Sequence, residues 1–325
     1  MSVLVTGGAG YIGAHIVRML EKNGDVVVVD NFSTGDRDRI GDVDAYELDL
    51  TAPSAVAELR HILSKHRIDA VIHMAALKQV AESVQHPIRY YRENMQTLAH
   101  MLEAMQAESV PMLVFSSSAA VYGNPKNALV SEDDETTPVN PYGASKLTGE
   151  WLVRDVARAS SIRAVSLRYF NVAGAGAPEL ADMIPANLVT LAVEALESGD
   201  VPQIFGDDYD TRDGTGVRDY VHVQDLAAAH IAAVDYLRSA RESYSVFNVG
   251  TGQGASVREV LTELSAVSGM PFEPRVVGRR PGDPASVVAD SHRIESSFDW
   301  SPTHSIRDMV ESAWAARSCA QADSD

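Results

Sequence analysis

The chain has 325 residues, 45% of them hydrophobic, and a formal charge of −18, enough length for one compact body with a smaller lobe. This acidity argues against a nucleic-acid partner, which needs clustered Lys and Arg, and no apolar run reaches the ~18 residues of a membrane span. The single cysteine, Cys319, excludes an intrachain disulfide and argues against a cysteine-based metal site.

A small phosphorylated ligand stays compatible with the acidic surface, because local arginines or a helix N-terminus can hold a diphosphate. No metal is expected. The chain enters a strand at Val3 with no basic leader ahead of it, so no secretory signal is expected and a cytoplasmic setting is.

Taken in chain order, short apolar runs at 3–6, 26–30, 70–73, 112–116 and 164–169 read as buried parallel strands. Amphipathic stretches at 13–22, 52–65 and 95–108 read as the helices between them. This alternation predicts an α/β fold, a doubly wound Rossmann-type parallel sheet with helices on both faces. Beyond Asn171 the rhythm breaks. Residues 174–185 are rich in Gly, Ala and Pro, 186–198 read as a helix and 201–216 as loop. A strand and helix over 217–236 and a strand over 247–249 resemble the first half again. The expected organisation is a nucleotide-binding domain over 1–172 with 217–250 returning to it. An interleaved substrate lobe takes 173–216 and 251–318, followed by a tail at 319–325 whose last residues, 321–325, are expected to be disordered.

Within the first segment, Val3-Leu-Val-Thr-Gly-Gly-Ala-Gly-Tyr-Ile-Gly13, the glycines Gly7, Gly10 and Gly13 follow a strand and open a helix. Without side chains they permit a tight turn and close approach of backbone to a pyrophosphate at the helix N-terminus. Asp30 ends the second strand, where a carboxylate can bond an adenosine ribose and repel a 2′-phosphate, which favours NAD over NADP. Asp49-Leu50 reads as the end of the third strand, near an adenine; Asp49 can equally cap the helix begun at Thr51.

Tyr142-Gly-Ala-Ser-Lys146 puts a phenol and an ammonium on one helix face, with Cβ atoms ~5–6 Å apart. The pair is moderately specific in a chain with 11 tyrosines. Lowering a phenol from its usual ~10 towards 7 takes about 4 kcal/mol, which a neighbouring ammonium and a cationic nicotinamide together can supply. Ser118 follows the strand at 112–116, at the carboxyl edge where open-sheet sites form. It can share a substrate hydroxyl with Tyr142, or cap the turn that follows.

At these residues the chain resembles the extended short-chain dehydrogenase/reductase superfamily, and more closely the UDP-glucose 4-epimerase family. The closer likeness rests on Leu77-Lys-Gln-Val-Ala-Glu-Ser-Val-Gln-His-Pro87, Ser116-Ser-Ser-Ala-Ala-Val-Tyr-Gly123, Leu167-Arg-Tyr-Phe-Asn171 and Asp213-Gly-Thr-Gly-Val-Arg-Asp-Tyr-Val-His222. It runs from about Ser2 to about Trp314. The resemblance implies a tightly bound NAD, a UDP-hexose substrate, inversion at C4 by transient oxidation, and a homodimer formed through helices near 95–108 and 147–159. It implies a proton-accepting Tyr142, an orienting Ser118 and a Lys146 that holds the cofactor ribose. It places Tyr11 and Ile12 under the pyrophosphate and Asp30, Asn31, Phe32, Ser33 and Thr34 about the ribose. Ala75, Ala76, Leu77, Lys78 and Asn94 fall along the cofactor's centre, and Phe170 near the nicotinamide. Asn171, Asn187, Phe205, Arg218, Arg280 and Asp283 fall at UDP-sugar positions. Forked guanidiniums suit a diphosphate; Arg218 and Arg280 can also pair with surface acids, and Lys78 can be a solvated loop charge.

The chain departs from that pattern in places. Glu93 stands where an Asn is common, Gln96-Thr-Leu98 lacks a usual Gly-Thr, and the loop after Asn171 is short. Val287 takes a position that commonly carries Tyr or Cys, and the resemblance associates a small residue there with room for a 2-acetamido group. The enzymatic alternatives are a 4,6-dehydratase, which needs an added acid and base where Ala119 and Ala120 stand, or a net dehydrogenase. A non-catalytic NAD-sensing regulator is the alternative outside enzymes.

Overall fold

The computed structural model describes residues 1–22, 24–280 and 282–322, with side chains along the last helix described through Arg317. The chain runs β1 (Ser2–Thr6), α1 (Tyr11–Glu21), β2 (Asp25–Asp30), β3 (Asp44–Glu47), α2 (Ala55–Lys65), β4 (Ala70–His73), α3 (Val80–Gln85), α4 (Pro87–Ala107) and β5 (Met112–Ser116). It continues through β6 (Leu129–Val130), α5 (Pro141–Ala159), β7 (Arg163–Tyr169), β8 (Asn171–Ala173), α6 (Leu188–Glu197), β9 (Gln203–Phe205), β10 (Val217–His222) and α7 (Val223–Ser239). The remainder is β11 (Tyr244–Val249), β12 (Gly254–Ser256), α8 (Val257–Ser268), β13 (Arg275–Val277), β14 (Ser286–Ala289), α9 (His292–Ser297) and α10 (Ile306–Ala322).

Seven strands form one parallel sheet in the order β11-β7-β5-β4-β1-β2-β3. The period-2 alternation of the strands explains its two buried faces. Val3, Val5, Val26, Val28 and Ile72 meet Ile16 and Val17 of α1 and Leu226 and Val234 of α7. Their neighbours Leu4, Val27, Val29 and Val71 meet Leu59 of α2, Leu98 and Met101 of α4 and Val153 of α5. Strand order reverses between β1 and β4, and the crevice outside their carboxyl ends is where such sheets bind ligands.

A second sheet runs β12-β10-β14-β6, with β8 also on β10, and β9 pairs with β13. This corrects the expectation that all of 217–250 returns to the first sheet: α7 and β11 do, whereas β10 is the centre of the second. The buried carboxylate of Asp219 supplies the reason. Its oxygens accept from Thr251 N and Oγ1, Gly252 N and Ala289 N, binding β10 to the turn after β11 and to β14.

Several boundaries also differ from expectation, and the stretch read as loop at 201–216 contains β9. The third strand ends at Glu47, because Asp49 Oδ1 accepts from Thr51 N and Oγ1 at 2.8 and 2.7 Å and turns the chain, so the next helix starts at Ala55. The helix expected from Met95 starts at Pro87, a proline at N1 whose fixed φ suits a first turn. The last helix continues through Ala322, so the tail expected from 319 is helical there, and residues 323–325 lie outside those described.

Between β8 and α6, residues 174–187 cross back over the start of α1 as a strap. Tyr11 Oη donates to Gly174 O at 2.5 Å, Gly176 N to His15 Nε2 at 2.8 Å, and Arg39 Nη2 to Ala181 O at 2.8 Å.

Candidate active site

A cleft of about 610 Å³ opens at the β1/β4 switch point, within the ~300–1,000 Å³ usual for cofactor pockets. Its floor is the glycine turn. Gly7 sits at φ +68 and its amide donates to Val29 O at 2.8 Å. A Cβ at Gly13 would lie 2.2 Å from Gly7 O, so α1 packs on the turn at a distance only glycine allows. Gly10 caps α1 without a side-chain partner, leaving first-turn amides directed at the cleft. Asp30 ties the turn to β2: Oδ2 accepts from Ala9 N at 3.0 Å and Oδ1 from Phe32 N at 2.9 Å.

Gly7, Gly10, Tyr11, Ile12, Gly13, Asp30, Asn31, Ser33, Thr34, Asp49 and Leu50 all line this cleft. Phe32 does not; it turns against the apolar core beneath β1 and β2. Asp49 lines the wall and caps a turn at once, so its two readings coexist. On the opposite wall stand Ala75, Ala76, Leu77 and Lys78. Asn94 fixes that segment, accepting from Leu77 N at 2.8 Å and donating to Leu77 O at 3.1 Å and Ser145 Oγ at 3.0 Å. The departing residues Glu93 and Thr97 face the same cleft, and Gln96 Nε2 donates to Thr51 O at 2.9 Å.

Tyr142 and Lys146 enter the cleft from the first turns of α5. Asn140 caps that helix, its Oδ1 accepting from Gly143 N at 2.8 Å. A Cβ at Gly143 would lie 2.5 Å from Ala120 O, so the helix start sits hard against the turn that carries Ser118. Burial pushes the Tyr142 phenol up, and hydrogen bonds with Ser118 and Tyr169 pull it back. The Lys146 ammonium is not one of these two hydrogen-bond partners. The ammonium instead donates to Ser116 O at 2.7 Å. Burial lowers Lys146 to about 8, opposed by Glu150. Ser118 both caps its turn, accepting from Ala120 N at 3.1 Å, and bonds Tyr142.

Ser118 and the remaining site residues lie outside the lining of the cleft, most of them on the second lobe. Phe170 is buried in a cluster with Val121, Tyr122, Val130, Leu147 and Ala289, against which Ala119 and Val287 pack. Asn171 bonds Tyr220 across the β8/β10 pairing. Asn187 caps α6 and reaches Asp182 Oδ2 at 3.3 Å. Arg218 pairs in register with Val287 and donates to Asp283 Oδ1 at 2.5 Å. The Arg280 guanidinium stacks 3.8 Å from the centre of the Phe205 ring. Sequence reasoning missed Tyr169, Arg39 and the strap residues Asp182, Met183 and Ile184, all of which line the cleft. Alternation along β7 carried the signal for Tyr169; the strap residues had none.

The profile of the NAD dependent epimerase/dehydratase family matches residues 3–250. A UDP-glucose 4-epimerase of Azospirillum brasilense is 44% identical over 95% of this chain and 89% of its own. The crystal structure of UDP-glucose-4-epimerase from Stenotrophomonas maltophila with bound NAD and formylated UDP-arabinopyranose is 39% identical, with a TM-score of 0.92 over 99% of each chain. That of the Bifidobacterium longum enzyme with NAD+ and UDP is 40% identical, with a TM-score of 0.89 over 98% of each. A glycine turn at the switch point, a Tyr-x-x-x-Lys helix beside it and these full-length likenesses together make the chain a member of the NAD-dependent epimerase/dehydratase family, among its UDP-glucose 4-epimerases.

Proposed function

We propose that this protein interconverts UDP-galactose and UDP-glucose by inverting C4 of the hexose. The observation that carries the reading is that Tyr142 and Lys146 enter the cleft whose floor is the Gly7–Gly13 turn, with Ser118 bonded to the Tyr142 phenol. The residues present fit NAD: the cradle at Gly13 has no room for a Cβ, and Asp30 stands at the end of β2. When bound, NAD supplies the two-electron oxidant and reductant for C4 and a positive charge beside the phenol.

The chain's own residues handle the proton and the position of the sugar. Tyr142 Oη accepts the proton of the 4-hydroxyl and returns it after inversion. Ser118 and Tyr169 bond that oxygen and stabilise its ionised form. Lys146, mostly ammonium at neutral pH, adds positive charge while Ser116 O fixes its position. Arg218 and Arg280 supply guanidinium forks for the diphosphate, with Asp283 and Phe205 as their partners before it arrives. Asn171 and Asn187 complete the sugar-nucleotide side. Ala119 and Ala120 offer no acid or base for dehydration, which disfavours a 4,6-dehydratase.

Three finer readings accompany this one. The small Val287, packed beside Phe170 and Ala119, supports turnover of 2-acetamido UDP-sugars; Val287→Tyr should then abolish UDP-GalNAc turnover while sparing UDP-galactose. The exposed Val84, Ile88, Tyr91 and Trp151 on α3, α4 and α5 support a homodimer, which Ile88→Glu should convert to monomer on sedimentation. Among the described residues no helix is long and apolar enough to cross a membrane, and we place the enzyme in the cytoplasm.

The test is incubation with UDP-galactose and no added cofactor. UDP-glucose should accumulate, and Tyr142→Phe should lose roughly 10²–10⁴-fold in kcat. A Tyr142→Phe protein with most of its turnover would remove the phenol from this role.

A further inference from the structure

The end of β5 is fastened to α5 by three consecutive residues. Ser116 O accepts from Lys146 Nζ at 2.7 Å, Ser117 Oγ donates to Glu150 Oε1, and Ser118 bonds the Tyr142 phenol. Their partners are spaced by four along one face of the helix. Two of these ties belong to the reacting groups; the third, to Glu150, has no part in the chemistry described above.

Glu150 is buried, and so is Arg168 of β7, which grips it bidentately: Nε donates to Oε1 at 2.9 Å and Nη2 to Oε2 at 2.7 Å. Arg168 Nη1 continues to Tyr122 Oη at 2.9 Å, and Tyr122 donates to Asn248 Oδ1 at 2.7 Å. A buried ion pair is poor as a stabilising device, because apolar residues of like volume commonly do as well or better. This one sits one helical turn beyond Lys146 and holds the residue between those that meet Lys146 and Tyr142.

We propose that Glu150 and Arg168 are a positioning pair for the reaction, fixing the face of α5 that carries Tyr142 and Lys146 against the Ser116–Ser118 turn. The inference rests on the epimerase reading. Lys146 meets Glu150 on its own helix, where Tyr142 lies one turn before it, and His73 from β4; Tyr169 of β7 reaches Tyr142, and Arg168 stands behind Glu150. Burial lowers His73 to about 3, so it is neutral and adds no charge. Among these groups Glu150 is the one that favours the ammonium.

Glu150→Gln alone leaves a buried guanidinium unpaired and can cost the fold. The decisive variants are Ser117→Ala, which keeps both charges, and Glu150→Gln with Arg168→Met, which removes both. Each should retain NAD and hold KM for UDP-galactose within about twofold of the parent, while kcat falls about tenfold. In the double variant the alkaline limb of the kcat profile should move roughly half a pH unit lower. A folded, NAD-loaded variant with the parent's kcat and pH profile would overturn the proposal. So would KM rising in step with the loss of kcat, or loss of the fold in both variants, which assigns the pair to stability. A parent that fails to convert UDP-galactose would instead sink the epimerase reading on which the pair's role depends.

Discussion

Alanine at two glycines of one turn should do two different things. At Gly13 the new methyl carbon would lie 2.2 Å from Gly7 O and 2.8 Å from Gly8 Cα, both backbone atoms, and must retreat by at least 0.8 Å to reach the 3.0 Å below which real Cβ contacts essentially do not occur. Neither neighbour can rotate away, so α1 must lift from the turn. Overpacking of this kind costs about 1–3 kcal/mol, at the upper end where backbone must move. With roughly 2–4 °C per kcal/mol for chains of a few hundred residues, Tm should drop by about 5–10 °C. At Gly10 the methyl meets a single protein atom, Gly7 O at 3.3 Å, and otherwise points into open cleft. Gly10→Ala should therefore keep the Tm of the NAD-free parent and lose NAD, because the methyl occupies space that a pyrophosphate needs. The assay pairs thermal unfolding with the NAD content of each purified protein. A Gly13→Ala protein with unchanged Tm, or a Gly10→Ala protein that retains NAD, would refute the packing argument.

The cited ionisations give two further expectations. Burial holds Lys146 at about 8, well below the ~10.4 of a free lysine; the ammonium is present at neutral pH and lost as pH rises through that value. kcat should accordingly fall above about pH 8, and a profile flat to pH 10 would contradict the role given to the charge. Four histidines, His15, His73, His222 and His230, are lowered by burial, to about 4 for all but His73 at about 3. Between these values and the ~6.5 of a free imidazole the unfolded chain binds more protons, so stability must decline as pH falls through that window. Urea midpoints measured from pH 7 to pH 4 should decrease steadily; a constant midpoint would show that these rings do not stay neutral in the native state.

The parts legible in the sequence are those where local chemistry and global position coincide. Val3 to Gly13 states its strand, turn and helix outright, and the structure puts Gly7, Gly10 and Gly13 on the cleft floor. Tyr142 and Lys146 share a helix face by spacing alone. The Glu150–Arg168 pair was illegible, because a charged residue on a helix and another on a strand read as surface unless their contact is known. So was the start of α4, where Arg89, Arg92 and Glu93 blur the apolar period behind Pro87. The second sheet escaped for a different reason. Apart from β10, its strands β6, β8, β12 and β14 are two to four residues long, as are those of the separate β9–β13 pair, too short to show alternation, and the sheet's pairing depends on long-range register and on Asp219. Sequence alone located the chemistry; it did not locate what holds the chemistry still.

In the proposed reaction the hydrogen removed from C4 stays in the site and returns to the same carbon. Turnover of UDP-galactose in D2O, followed by mass and proton NMR analysis of the UDP-glucose formed, tests it directly. Ordinary hydrogen is expected at C4 at every extent of conversion. Deuterium at that carbon would mean exchange with solvent, and would contradict the mechanism proposed for this site.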